Sequence, residues 1–396
     1  MSSPTLGGPV RSFRRPEPPA KPISVPELAA EVIERANRDV PADAALRSVL
    51  KNARGLSPVE AEAISRAVFQ HYRWFGWLDA DGPIEARLEH SAELAARFDR
   101  DPVSFSDSDL RAHTVPEWTW LHVEAPAHWA RSLQSAPRLW LRVHPAYIEE
   151  LPQELEVCPG PFAGSFLYQG SEDLFIHPAF QAGEFEIQDL ASQAVSLVCA
   201  PRGTETWWDA CAGEGGKTLH LSALMGGKGM IWASDRAAWR LERLRRRTAR
   251  AHCFNYRVAP WDGGEKPPTK TEFDGILVDA PCSGVGTWGR NPHARWTTTP
   301  IDIQELVEAQ RRLLTNARGS LKPGGRLIYA VCTVTRAETV EISDWFTHTF
   351  ASEFEPLPFA NPFSPQAPVG SPLTLWPNDT GGNGMFIAAW KRKSVA

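Results

Sequence analysis

The sequence has no apolar run near the roughly 18 residues that a membrane-spanning helix needs. Its opening stretch, MSSPTLGGPVRSFRRPEPPAKP, lacks the apolar core of a secretory signal. The expectation is a protein neither secreted nor in a membrane. No Cys-x-x-Cys pair occurs: Cys158, Cys199, Cys211, Cys253, Cys282 and Cys332 stand singly. That speaks against a structural zinc site and a disulfide scaffold, so no metal is expected and a reducing cytoplasm is the simplest compartment. No internal repeat is visible. No one sign of charge dominates, with 42 basic and 47 acidic residues and a net charge of −5. The chain is therefore not basic all over, although a local basic patch remains open to a polyanion. What is there is ordinary for a globular protein: 396 residues, 42% hydrophobic and 22% charged. At about 150 residues per domain, that length suits two or three domains.

Residues 1–24 are rich in Pro, Gly and Ser, with Arg11, Arg14 and Arg15 between them, and read as a flexible, solvated tail. From 25 to 115 the pattern is helical. Leu28, Val32, Ile33 and Ala36 recur at helical spacing, as do Ile64, Ala67, Val68, Tyr72 and Phe75. Ser57-Pro58-Val59-Glu60 reads as a helix start with a capping box. Residues 116–190 read as a small α/β unit with a strand at Trp140–Val143. From 191 to 396 strands and helices alternate. Strands are expected at Thr206–Asp209, Gly229–Ser234, Phe273–Asp279 and Arg326–Val331. Helices are expected at Lys217–Met225, Arg236–Ala251 and from Ile301 to Leu321, the last ending at Lys322-Pro323-Gly324-Gly325. Such alternation implies a doubly wound, mostly parallel sheet. Leu373–Trp376 and Met385–Trp390 read as a closing antiparallel hairpin.

The segment Asp209-Ala210-Cys211-Ala212-Gly213-Glu214-Gly215-Gly216-Lys217-Thr218 lies between a strand and a helix. Glycines allow a sharp turn and close approach of a ligand, and the helix N-terminus offers free N–H groups. Asp235, nineteen residues after Gly216, is placed to accept hydrogen bonds from a ribose. A P-loop lacks its leading glycine, because Cys211 stands there. A dinucleotide fingerprint fails at Thr218. S-adenosylmethionine, with its amino group and sulfonium, suits the preceding carboxylate Asp209 better. A plain strand–helix turn stays open from this loop alone.

Two further strands deliver Asp279 with Cys282, and Cys332, to the carboxyl edge of the sheet, where ligands of open α/β sheets bind. Cys158, Cys199, Cys211 and Cys253 read as small buried hydrophobes. Two cysteines at neighbouring strand ends beside a nucleotide-type loop fit nucleophilic attack on a pyrimidine. Carbon 6 accepts a thiolate, and carbon 5 then becomes electron-rich enough to take a methyl group.

With these residues in view, the sequence resembles the RNA cytosine-5 methyltransferases of the RsmB/Sun type. The likeness rests on Gln188-Asp189 with Ser192-Gln193, CAGEGGKT, DAPCSGVGTWGRNPHARW and the strand ending in Cys332, and covers about 130–396. Residues 41–69 resemble, more weakly, the helical NusB-like domain of bacterial members. The resemblance implies an α/β fold: a Rossmann-like class I methyltransferase domain preceded by a helical NusB-like domain and a small RNA-recognition unit. It implies that Cys332 attacks carbon 6, that Cys282 assists release of the product, and that Asp279 contacts the base near N3. Lys217 lies near the catalytic face. Cys211, Ala212, Gly213, Glu214, Gly215, Gly216 and Lys217, with Asp235, Asp262 and Asp279, would hold S-adenosylmethionine. Ribosomal RNA is the first substrate expected and transfer RNA the second. Four features depart from the family pattern. Glu214 replaces Pro or Ala, Val331 replaces Thr, and Glu338-Thr339-Val340 replaces Glu-Asn-Glu. Gly289 and His293 replace Arg and Asp.

Eight arginines and one acidic residue, Glu242, fall between 236 and 257. Arg245, Arg246 and Arg247 are candidates for RNA phosphates. Trp288, Arg290, Arg295 and Trp296 are candidates for stacking on extruded bases. Two rival functions remain at this point. One is an enzyme of the DNA cytosine-5 class, with Cys282 as nucleophile. The other is a catalytically impaired RNA-binding or ribosome-assembly factor with the same fold, for which Glu214 and Val331 leave room.

Overall fold

The structure, a computed structural model, describes residues 24–53 and 55–394. The tail expected at 1–24, with its three arginines, lies outside the described residues except for Ser24. That side chain caps the first helix by accepting the Glu27 N–H at 3.3 Å.

The first layer is helical: α1 (Val25–Arg35), α2 (Ala42–Asn52), α3 (Pro58–Trp74), α4 (Ile84–Arg100) and α5 (Asp107–His113). α3 starts where the sequence places a start. Ser57 Oγ accepts the Glu60 N–H at 3.2 Å, and the Glu60 carboxylate accepts the Ser57 N–H at 2.8 Å. The apolar face behind this cap buries Val32, Ile64, Val68 and Tyr72 together. Short helical turns continue to Ser132. There Val115, Val123, Trp129 and Leu133 pack on Val285 and Trp288, far along the chain. The change from helix to sheet comes at Leu139.

A small antiparallel sheet follows, formed by β1 (Leu139–Val143), β2 (Val157–Pro159), β3 (Ser165–Tyr168) and β4 (Phe185–Ile187) in the order β2-β3-β1-β4. Leu141, Phe166 and Phe185 form its buried face.

The main sheet has eight strands: β5 (Thr206–Asp209), β6 (Met230–Ala233), β7 (Tyr256–Val258), β8 (Phe273–Asp279), β9 (Leu321–Val331), β10 (Phe354–Pro356), β11 (Leu373–Leu375) and β12 (Met385–Arg392). Their order is β10-β12-β9-β8-β5-β6-β7, with β11 paired to β12. β5 to β9 are parallel, whereas β12 runs antiparallel to β9 and to both β10 and β11. Ile276–Val278 and Leu327–Val331 have no exposed surface, as befits parallel strands covered on both faces. From β5 the chain runs through the helix Gly216–Leu224 to β6 and through the helix Ala238–Arg250 to β7. It then returns to lay β8 and β9 on the other side of β5. The loops leaving β5 and β8 part at that point, which opens a crevice at the carboxyl edge.

One boundary differs from the sequence reading. The long helix is Pro300–Ala317, and β9 already begins at Leu321 rather than Arg326. Leu321 pairs with Phe273 and is fully buried, and pairing resumes with Gly275 opposite Arg326. The Pro-Gly-Gly stretch is thus a bulge inside a strand, with Gly324 at φ +78°. No helix among the described residues is long and apolar enough to cross a membrane.

Candidate active site

The loop after β5 is shaped by its glycines. Gly213 and Gly215 have φ of +54° and +88°, where glycine is favoured. A Cβ on Gly215 would stand 2.7 Å from Leu244 Cγ, whereas one on Gly213 would meet nothing within 4 Å. Gly215 therefore seats the loop on the next helix, and Gly213 leaves backbone open to the crevice. Asp235 clamps this loop by accepting the N–H of Gly213 at 3.1 Å and that of Ala237 at 2.8 Å. Beneath, Asp209 accepts the Thr218 hydroxyl at 2.7 Å. Burial pushes its carboxyl up to about 7.

The β8 and β9 ends carry the reactive groups. Lys217 Nζ meets Asp279 Oδ2 at 2.7 Å. Burial opposes the Lys217 charge, but the Asp279 charge and hydrogen bond outweigh it and raise the ammonium. The Cys282 and Cys332 sulfurs lie 3.4 Å apart. The Cys282 thiol hydrogen bond pulls Cys332 below the ordinary thiol value, against burial, and Lys217 assists. Cys282 is pushed well above that value by the same bond, by burial and by the Cys332 and Glu338 charges. The two thiols titrate as a pair, with the surroundings favouring the negative charge on Cys332. Cys211, half-buried on the cleft wall, is also pushed well up, by desolvation and then by the Asp209, Asp279 and Asp235 charges, and stays a thiol.

A buried carboxylate sets this spacing. Glu338 has no exposed surface. It accepts the Ser283 N–H at 2.8 Å, the Gln310 amide at 3.0 Å, the Thr333 hydroxyl at 3.2 Å and the Thr335 hydroxyl at 2.7 Å, as well as the Ser283 hydroxyl. Gln310 also reaches the Pro281 carbonyl at 3.0 Å. One side chain thus ties the residue after Cys282 to the residue after Cys332.

These groups line one cleft of about 590 Å³. Cys211, Ala212, Gly213, Glu214, Gly216, Lys217, Asp235, Asp262, Asp279, Cys282 and Cys332 all border it. Among the described residues no group of three or more His, Cys, Asp or Glu side chains is arranged to hold a metal ion.

The sequence profile of the family 16S rRNA methyltransferase RsmB/F matches residues 196–391. The chain is 32% identical to a probable ribosomal RNA small subunit methyltransferase B of Synechocystis, over 74% of this chain and 70% of that protein. The chain belongs to the RsmB/F family. By shape it is similar to the crystal structure of PH0851, with a TM-score of 0.72 at 24% identity, covering 93% of this chain and 99% of the other. It is also similar to NSun6 from Pyrococcus horikoshii, solved with SFG. That match has a TM-score of 0.58 at 19% identity and covers 67% and 93%.

Two departures from the RsmB/F pattern are absorbed by the fold. The Glu214 carboxylate pairs with Arg243 at 2.6 Å. Val331 is fully buried at the end of β9, in the apolar core. Gly289 and His293 both face α3. The Gly289 carbonyl accepts Arg73 at 3.2 Å, and the His293 ring meets Tyr72 edge-on at 4.6 Å.

Three expected RNA-stacking residues are instead structural. Trp288 has no exposed surface and packs on Trp129 and Trp118. Arg295, also fully buried, donates to the carbonyls of Arg73, Thr114, Leu133 and Trp288. Burial without an acidic partner lowers it to about 9, so it stays charged near neutral pH. Trp296 donates to the Tyr72 carbonyl at 2.7 Å and packs on Phe75. All three hold the loop after Cys282 against the helical layer. Only Arg290 of this set is exposed on the cleft. Arg247 borders the cleft but pairs with Glu186 at 2.7 Å. Arg245 and Arg246 are exposed and face Glu242 of their own helix at 3.4 and 3.6 Å. Cys158, read as buried, is exposed on the edge strand β2. The sequence alone assigns no role to Glu338, Asp189 or Asn383. Asp189 does lie in one of the stretches that carry the family likeness, and it caps the helix Leu190–Cys199.

Proposed function

We propose that the chain methylates carbon 5 of a cytosine in small-subunit ribosomal RNA, with S-adenosylmethionine as donor. The observation that carries this reading is the 3.4 Å contact between Cys282 and Cys332, set beside the Lys217–Asp279 ion pair in one cleft. Relatives named as small-subunit rRNA methyltransferases support the substrate class. The Shewanella oneidensis relative is spanned over 62% of its own length.

The cleft residues fit the donor. Gly213 offers open backbone at the helix N-terminus. Asp235 keeps spare acceptor capacity for ribose hydroxyls after its two backbone bonds. Exposed Asp262 lies on the same wall. NSun6, of the same fold, was solved with SFG, an analogue of S-adenosylmethionine. That donor supplies a methyl group on a sulfonium, electrophilic enough for an electron-rich carbon. Cys332, ionised, attacks carbon 6, so a C–S bond forms and the 5,6 double bond shifts its electrons onto carbon 5. The Lys217 ammonium, held in place by Asp279, stabilises negative charge on the N3 side of the ring. After carbon 5 has taken the methyl group, Cys282 is relieved of the Cys332 charge and hydrogen bond, because the other sulfur is now bonded to carbon 6. It gives its thiol proton to solvent and as thiolate takes the carbon 5 hydrogen as a proton, and the C–H electrons re-form the 5,6 double bond. The C–S bond breaks and Cys332 returns as thiolate. A DNA-type role for Cys282 as first nucleophile fits poorly, because its thiol is the harder of the two to ionise.

Calorimetric titration with S-adenosylmethionine tests the cofactor assignment. Wild type binds, and Asp235→Ala loses about tenfold or more in affinity, the worth of a charge-assisted hydrogen bond. Equal affinities would remove Asp235 from the site. No binding by wild type would contradict the donor itself.

A further inference from the structure

The loop after β5, Asp235, Asp262 and the two thiols border the cleft, and so do Asp189, Arg290 and Asn383, the last just before β12. These three residues also border a second groove of about 330 Å³. Its other walls are the segment from Ser132 to Arg138 and the turn from Pro377 to Gly382. The groove therefore adjoins the catalytic cleft along these three residues.

Its charge differs from that of the arginine-rich helix. On that helix, Arg243 pairs with Glu214, Arg245 and Arg246 with Glu242, and Arg247 and Arg250 with Glu186. A phosphate would have to compete with each of those carboxylates. Arg138 and Arg290 are exposed; neither guanidinium makes a hydrogen bond or a close ion pair among the described residues, and the one carboxylate whose charge reaches Arg290 is Asp189, already bonded to two N–H groups. The Arg138 guanidinium lies over Gly381, where a Cβ would stand 2.8 Å from Nη1. The absence of a side chain there lets it reach across the turn. The two acids in the groove are engaged. Asp189 is half-buried, accepts the N–H groups of Ala191 and Asn383, and shares its charge with Arg290. Asp379 faces His128 at 3.4 Å.

We propose that this groove holds the nucleotide adjacent to the target cytosine, with Arg290 and Arg138 on phosphates of the same RNA strand. The proposal rests on the RNA substrate read above. It assigns the strand a path across the β9 and β12 ends and over the turn before β12.

The test is fluorescence anisotropy of a cytosine-containing single-stranded RNA 12-mer over a range of potassium chloride concentrations. Wild type is compared with Arg138→Ala/Arg290→Ala, with Arg245→Ala/Arg246→Ala as control, and S-adenosylmethionine affinity is measured in all three to report an intact cleft. The groove double variant binds about tenfold or more weakly. Its slope of log affinity against log salt is shallower by about 1.4, at about 0.7 for each single-strand phosphate that the variant no longer neutralises. The control changes less on both measures. Wild-type affinity and slope in the groove variant would overturn the proposal and leave the methyl-transfer reading standing. An equal loss in the control would overturn it too, by moving the phosphate binding to the helix. Wild type that takes up S-adenosylmethionine but binds no RNA would overturn the RNA reading together with the groove.

Discussion

Cys282→Ala accumulates a covalent protein–RNA complex, whereas Cys332→Ala forms none. Both lose methylation, Cys332→Ala by something on the order of 10⁵-fold, as expected when a nucleophile is removed. The reason lies in the asymmetry of the thiol pair. Cys332 is the partner whose charge is favoured, because the Cys282 thiol lies within hydrogen-bond reach at 3.4 Å and Lys217 lies near. Cys282 sits against the charges of Cys332 and Glu338, which keep its proton on. Without Cys282, attack on carbon 6 still proceeds, but elimination slows and the adduct persists as a slow band on a denaturing gel. The pH dependence of alkylation follows the same logic. Cys332 in wild type reacts with iodoacetamide at lower pH than a free thiol, and its half-reaction pH moves up in Cys282→Ala, where the donated hydrogen bond is gone. An adduct in Cys332→Ala and none in Cys282→Ala would exchange the roles.

Glu338→Ala disables the site without touching a reacting atom. Five donors converge on that carboxylate; the Ser283 N–H has no capacity to turn into an acceptor, and the Gln310 amide is held in its donor orientation by the Pro281 carbonyl. Leaving them buried and unpaired costs roughly 3 kcal/mol of stability. The larger effect is on turnover. Glu338 spans the loops that set the sulfur–sulfur distance, so kcat falls by about 10²-fold, while affinity for S-adenosylmethionine holds because the loop after β5 makes no contact with Glu338. Glu338→Gln keeps the volume but turns an N–H₂ toward donors, and it restores little of the rate. A purely structural role would show as lost stability with normal kcat in the folded fraction. Normal kcat in Glu338→Ala, whatever its stability, would contradict the positioning role.

Much of the α/β layer was legible because apolar strands carry their own punctuation. Phe273–Asp279 and Thr206–Asp209 end where the sequence says, each bounded by turn residues and buried on both faces. The start of β9 was not. Lys322-Pro323-Gly324-Gly325 reads locally as a terminator, and only the pairing of Leu321 with Phe273 puts the strand ahead of it. The cofactor loop and both thiols were legible because their chemistry is carried by short contiguous motifs. The environment of the loop after Cys282 was not. Trp288, Arg295 and Trp296 have the composition of a nucleic-acid surface, but Trp129, Leu133 and α3 cover them from more than a hundred residues away. Glu338 was invisible as a hub for the same reason, since its donors come from residues 283, 310, 333 and 335. The arginine-rich helix shows the converse. Its density of charge stands out in sequence, yet the carboxylates that engage it come partly from Glu186 on β4 and Glu214 in the cofactor loop.

The most direct test is nucleoside mass spectrometry of small-subunit ribosomal RNA lacking the modification, incubated with purified protein and S-adenosylmethionine carrying a labelled methyl group. The label appears in 5-methylcytidine with wild type and in no nucleoside with Cys332→Ala. Label in a different nucleoside, or undiminished 5-methylcytidine from Cys332→Ala, would contradict it.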